Sequence, residues 1–198
     1  MPKSYSEQER EYIKKRLKEE AAKCLAQYGV RRTTVDEIVK RVNIPKGTFY
    51  LFYQSKELLL FDTILELHNL IEQELYGAVN DIDTTSTYNI KEQLVNIIIS
   101  FYKMADEMPV LKMLGSDEIE LLARKLPPNV LEEHLGHDNS MIDRLFSALP
   151  LKKNVSTDSF SAAFRAIFFA TMHKEEIGEA FYDEALRLLV EGLVSQLI

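Results

Sequence analysis

Cysteine is almost absent from this chain: Cys24 is the only one in 198 residues. That excludes an intrachain disulfide and any zinc site built on several thiolates. Glycine and proline are scarce too, at seven and six residues, against a usual combined share of about 12%. Few turns and long helices are expected. No apolar run approaches the roughly 18 residues of a membrane span. The stretch from Met1 to Glu11 is polar and charged, unlike a signal peptide. A reduced, cytoplasmic, soluble protein is therefore expected. No glycine-rich phosphate loop, nucleophile elbow or zinc-protease motif is present. Glu118 and Glu120 are two apart and would not share a helix face, so they make a poor catalytic pair. His134, His137 and Asp138 have permissive metal-ligand spacing, but Gly136 weakens their helix and no further ligand is evident. No enzyme activity, catalytic residue, cofactor or metal is expected.

What is present is ordinary globular material, 46% hydrophobic and 28% charged, enough to build a core. The formal charge of −7 is unevenly spread. Residues 1–60 carry 13 Lys and Arg against 8 Asp and Glu, a net of +5, and residues 61–198 carry 11 against 23, a net of −12. A basic head on an acidic body points to a polyanionic partner for the head, or to a chance unevenness of surface charge.

The apolar spacing is helical throughout, with no strand alternation, so the fold class is all-α. Ile13, Leu17, Ala21, Cys24 and Tyr28 form one stripe of a first helix over about 6–28, with Gly29 as its stop. Cys24 falls on that buried stripe, where a thiol is inert. Thr34 and Glu37 have capping-box spacing at the start of a short second helix, whose inner face is Val35, Ile38, Val39 and Val42. Asn43-Ile44-Pro45 breaks it. A third short helix follows, then Ser55 as the N-cap of a long helix over 56–76. Further helices are expected over 89–107, from Pro109 to about Gly115, over 127–149, over 157–173 and over 178–197.

Two short helices joined by a three- to four-residue turn, the second basic and rich in small residues, fit a helix-turn-helix that reads the major groove. Lys46 can meet phosphate or guanine. Gly47 lets backbone approach DNA, and Thr48 can reach a base edge or phosphate. Tyr50 can donate to phosphate. Lys56 opens the next helix, where an anion is favoured, while Phe49 packs inside. A plain helical hairpin with a solvated basic edge has the same pattern.

The runs Thr34-Val35-Asp36-Glu37-Ile38-Val39, Asn43-Ile44-Pro45-Lys46-Gly47-Thr48-Phe49-Tyr50-Leu51-Phe52-Tyr53 and Ser55-Lys56-Glu57-Leu58-Leu59 together resemble the DNA-binding domain of the TetR/AcrR family. The resemblance covers residues 10–60. It implies a dimeric regulator, usually a repressor, with a DNA-binding domain over 1–55 and a helical effector-binding and dimerisation domain over 56–198. Its partners would be a palindromic double-stranded operator and a small-molecule effector. By family position Thr34, Lys46, Thr48, Tyr50 and Lys56 would touch DNA. Three departures matter. Asn43 stands where the family often has Gly. Pro45 replaces the usual hydroxyl cap, and Phe52 replaces a polar His or Tyr, so no phosphate contact is carried to it. Tyr53 stands for the common Phe and packs.

The last two helices are apolar around much of their circumference, which requires burial on two sides. A second copy could cover Phe168, Leu189 and Leu193 in a four-helix interface; a central position within the monomer is the alternative. Phe101, Met104, Met113, Met141, Phe146 and Phe164 could line a pocket for an apolar or amphipathic effector, or could be simple core. Two rivals remain on the residues alone: a helical small-molecule carrier, and a protein-interaction adaptor with a structural hairpin.

Overall fold

The computed structural model describes residues 5–110, 116–147, 149 and 156–198. All regular structure among them is helical: α1 Glu7–Arg32, α2 Val35–Val42, α3 Lys46–Phe49, α4 Lys56–Asn80, α5 Thr87–Glu107, α6 Ser116–Lys125, α7 Pro128–Ser147, α8 Thr157–Thr171, α9 Lys174–Ile177, a 3-10 turn Glu179–Phe181 and α10 Tyr182–Leu197. No described helix is long and apolar enough to cross a membrane.

The chain forms two compact units. One holds Met1–His68 and Pro109–Leu126, the other Asn69–Met108 and Pro127–Ile198. The chain therefore passes from the first to the second inside α4, and segment 109–126 returns to the first. These units divide the chain differently from the expected functional boundary at 55/56. The helix expected over Pro109–Gly115 falls largely outside the described residues. α6 was not expected at all.

In the first unit α1 packs on α2 and α6, and α2 on α3. Leu17, Ala21, Cys24 and Leu25 of α1 are fully buried, as are Ile38, Phe49, Leu59 and Leu60. α1 begins with a complete capping box. The Ser6 hydroxyl accepts from the Glu9 amide at 3.2 Å and the Glu9 carboxylate accepts from the Ser6 amide at 2.8 Å. The helix breaks at Gly29, whose φ of 71° and ψ of −176° suit glycine alone. At α2 only half of the expected box forms. Thr34 accepts from the Glu37 amide at 3.2 Å, but the Glu37 carboxylate turns to Arg41 Nε at 2.7 Å. Asn43 ends α2 at φ 60°, Pro45 precedes α3 with no side-chain cap, and Ser55 caps the start of α4 at 3.2 Å.

Burial also raises the Cys24 thiol above its ordinary range. Native protein at pH 8 should react with a thiol reagent far more slowly than urea-unfolded protein; equal rates would mean that the stripe opens.

The second unit is built on one apolar cluster. It joins Ile90, Leu94, Val95, Ile98 and Tyr102 of α5 to Ile142 and Leu145 of α7, Ile167 of α8, and Leu186, Val190 and Val194 of α10. On α5 Tyr102 is buried and Phe101 half-buried. The Tyr102 hydroxyl donates to the Phe164 carbonyl at 2.9 Å, satisfying the polar end of a buried ring.

Candidate nucleic-acid interface

The helix-turn-helix presents some expected residues outward and turns others inward. Lys46, Gly47, Tyr50 and Thr34 are exposed. Tyr50 is 52% exposed and its neighbour Leu51 equally so. Gly47 has open space where a Cβ would stand. The Lys46 ammonium lies 2.9 Å from the Asp36 carboxylate, an exposed pair linking α3 to α2. That contact raises the Lys46 pKa above its ordinary value, so the side chain stays cationic.

Thr48, expected to reach a base edge or phosphate, is only 8% exposed. Its hydroxyl lies 3.4 Å from that of Tyr5. The reason is helical phase: α3 is four residues long, and Thr48 and Phe49 share its inner side. Tyr5 also approaches the Phe52 ring at 6.4 Å, and the Arg10 guanidinium sits 5.1 Å from the centre of that ring. Phe52 is therefore part of the packing between α1 and the end of α3. Tyr53 packs as expected and does more. Its hydroxyl donates to Asp62 at 2.6 Å, and Lys18 pairs with that carboxylate at 3.1 Å. Burial and the Asp62 contact push the Tyr53 pKa well up.

Lys56, expected to meet an anion, is turned inward. Its side chain is 17% exposed, and its ammonium donates to the Val30 and Thr33 carbonyls at 2.9 and 2.8 Å. Burial lowers its pKa. It satisfies carbonyls that the break at Gly29 leaves without helical partners.

Sequence reading missed Glu118. Its side chain is 15% exposed and its Oε2 accepts from the amides of Val30 and, at 3.2 Å, Arg31. Only Gly29, which marks a turn with amides to satisfy, hinted at such a partner.

In the second unit Phe101, Phe146 and Phe164 are half-buried against the core, and Met104 is half-buried. Phe146 and Phe164 meet through Phe160, at centroid distances of 5.6 and 6.4 Å. Met113 lies outside the described residues, as does the Met141 side chain. So do the side chains of His137 and Asp138. Of the expected interface residues, Leu189 is 51% exposed, while Phe168 and Leu193 lean on the core.

Residues 17–63 match the family model described as bacterial regulatory proteins, tetR family. Two similar proteins of Bacillus subtilis strain 168 are uncharacterized HTH-type transcriptional regulators. YuxN is 28% identical over 121 residues, which is 59% of this chain and 41% of that protein. YhgD is 41% identical over 56 residues, 27% of this chain and 29% of that protein. The chain thus spans less than half the length of these two relatives. The structure of the regulator FadR from Bacillus subtilis, in complex with stearoyl-CoA, is similar in fold. It has a TM-score of 0.62 at 17% identity, over 93% of this chain and 99% of that one. The helix-turn-helix region thus matches the model of the tetR family of bacterial regulatory proteins in sequence, and the helical architecture is similar in fold to that of FadR.

Proposed function

We propose that the protein is a cytoplasmic, homodimeric repressor whose helix-turn-helix binds a palindromic operator and whose helical body binds a small-molecule effector. The observation that carries the reading is the outward face of α2 and α3: Thr34, Lys46, Gly47 and Tyr50 exposed together on a head of net +5. Lys46 and Tyr50 position on phosphate, and the flat surface at Gly47 admits close approach. Thr48 and Lys56 serve from behind, by holding α3 and the α1–α2 turn. The functional domains are the head over 1–55 and the body over 56–198.

An apolar or amphipathic effector suits the Phe146–Phe160–Phe164 aromatic row and the half-buried Phe101 and Met104. Effector and operator affinities are coupled reciprocally, each weakening the other by the same factor. The dimer reading is supported by α8 and α10, which pack together and each leave a stripe open. Phe181, Leu188, Leu189 and Gly192 are exposed on and before α10, and Ala162, Ala166 and Phe169 on α8. Their spacing puts each set on one helix side, and the small residues allow close approach.

The test is fluorescence anisotropy with the native upstream DNA and a scrambled duplex, over a salt series. Tight, salt-sensitive binding that prefers the native fragment is expected; weak and equal binding to both at low salt would reject the reading. Two variants probe the Lys46–Asp36 pair. Lys46→Ala should weaken binding to every sequence and reduce the salt slope by about 1. Asp36→Asn removes a competing carboxylate and should tighten binding to both duplexes several-fold, which is again a sequence-independent charge effect.

A further inference from the structure

The turn between α1 and α2 has its backbone groups satisfied one by one, from three directions. The Gly29 carbonyl accepts from the Thr33 amide at 3.3 Å and the Thr33 hydroxyl at 2.6 Å. The Val30 and Thr33 carbonyls accept from Lys56. The Val30 and Arg31 amides both donate to one oxygen of Glu118, across 88 and 87 positions of sequence. We propose that Glu118 is a positioning residue for DNA recognition, its carboxylate setting the turn that delivers Thr34 and α2 to the operator. This rests on the DNA-binding reading above.

Geometry and charge agree on the assignment. Successive amides that converge on one point form an anion cradle, and the φ of Gly29 turns them out of the helix ladder. A Cβ at Gly29 would stand 2.8 Å from Glu118 Oε2, so the carboxylate sits where only glycine leaves room. The Arg31 guanidinium closes over it, with Nε 3.3 Å from Glu118 and a terminal nitrogen 3.2 Å from Asp117. The far end of α6 is tied as well: Lys125 lies 3.4 Å from Glu57, the neighbour of Lys56. The turn is thus held on its N–H side by α6 and on its carbonyl side by α4.

The residue after this turn is Thr34, the N-cap of α2. With the carboxylate gone, the turn regains backbone freedom that operator binding must remove again. Lys46 and Tyr50 are untouched, so the charge-driven, sequence-independent part of binding is kept. The loss therefore falls on recognition, which needs α2 and α3 in register with the groove.

The experiment uses the full chain with Glu118→Gln, Glu118→Ala and, as control, Lys46→Ala, on the native upstream duplex and its scrambled form. Glu118→Ala should cut the preference for the native duplex about tenfold, the share of charge-assisted bonds to two amides. Glu118→Gln keeps one acceptor oxygen and should lose less. Scrambled binding should hold or tighten slightly, with the salt slope unchanged. Amide exchange at Val30 and Arg31 should quicken in Glu118→Ala and slow again on the native duplex. An unchanged preference in both Glu118 variants, with Lys46→Ala weakened as expected, overturns the proposal. So does a parallel fall of both affinities with the melting temperature, which is a purely structural role. If wild-type protein itself binds both duplexes weakly and equally, the DNA-binding reading is overturned.

Discussion

Gly29→Ala should destabilise the head by about 2–4 kcal/mol, more than a methyl added to any other glycine among the described residues. Two costs combine. The φ of 71° with a ψ of −176° lies in a region that L residues avoid, which costs about 1–3 kcal/mol. The new Cβ would also stand 2.8 Å from Glu118 Oε2, so the carboxylate must leave the Val30 and Arg31 amides. Stripping the acceptor from the part-buried Val30 amide costs about 1–3 kcal/mol more. The stiffer unfolded chain returns only about 0.4–1 kcal/mol. Thermal melts by circular dichroism should show a fall on the order of 10 °C. Gly47→Ala is the internal contrast. Nothing lies within 4 Å of its Cβ position, so stability should hold or rise by about 0.5–1 kcal/mol. The double variant Gly29→Ala/Glu118→Ala separates the two costs. Alanine at 118 removes the collision and the lost bonds together, so the pair should cost about 1 kcal/mol less than the two singles added. Strict additivity would show that strain alone explains the glycine.

Most of what the head does locally was legible in its residues. Ser55, Asn43, Pro45 and Gly29 act at the positions that their own chemistry dictates, because caps and breaks are decided within a few residues. The reciprocal half of the Thr34–Glu37 box was not legible. Arg41 stands one turn on from Glu37 and competes for the same carboxylate, and an ion pair at 2.7 Å wins over an exposed amide. The inward turn of Thr48 was not legible for a related reason: spacing gives a helix, but the phase of a four-residue helix is set by what packs on it, here Phe49 and Tyr5. Lys56 and Glu118 were beyond local reading altogether. Both act on the turn after α1 from 23 to 88 residues away, and nothing in a charge pattern tells a solvated side chain from one that closes a distant turn. In the body the apolar spacing gave the helices and most of their buried faces. The burial of Tyr102 on α5 was not legible, because its hydroxyl is satisfied by a carbonyl on α8 that only the folded chain supplies.

Leu188→Glu combined with Leu189→Glu should convert the proposed dimer to monomer and reduce operator affinity by about 10²-fold or more. The two leucines are 64% and 51% exposed, so the subunit fold does not need them and its circular dichroism should be unchanged. Val190, the next residue, is fully buried, and a carboxylate there would instead unfold the body. Two-fold symmetry doubles each change, because an isologous interface meets every substituted residue twice. Four carboxylates would then enter an apolar surface, where burying charge is costly. A monomer keeps one recognition helix and loses the second half-site, which acts at high effective concentration when tethered. Sedimentation should give a single species near 22.9 kDa, and scrambled-DNA binding per head should be little affected. Salt offers an independent check. Residues 61–198 carry a net −12, so two bodies repel and their association should strengthen as ions screen them, over about 8 Å at physiological strength. DNA binding by the heads should weaken over the same range. Wild-type dimer and operator affinities should therefore move in opposite directions with salt. A double-Glu variant that still sediments as a dimer would place the interface elsewhere.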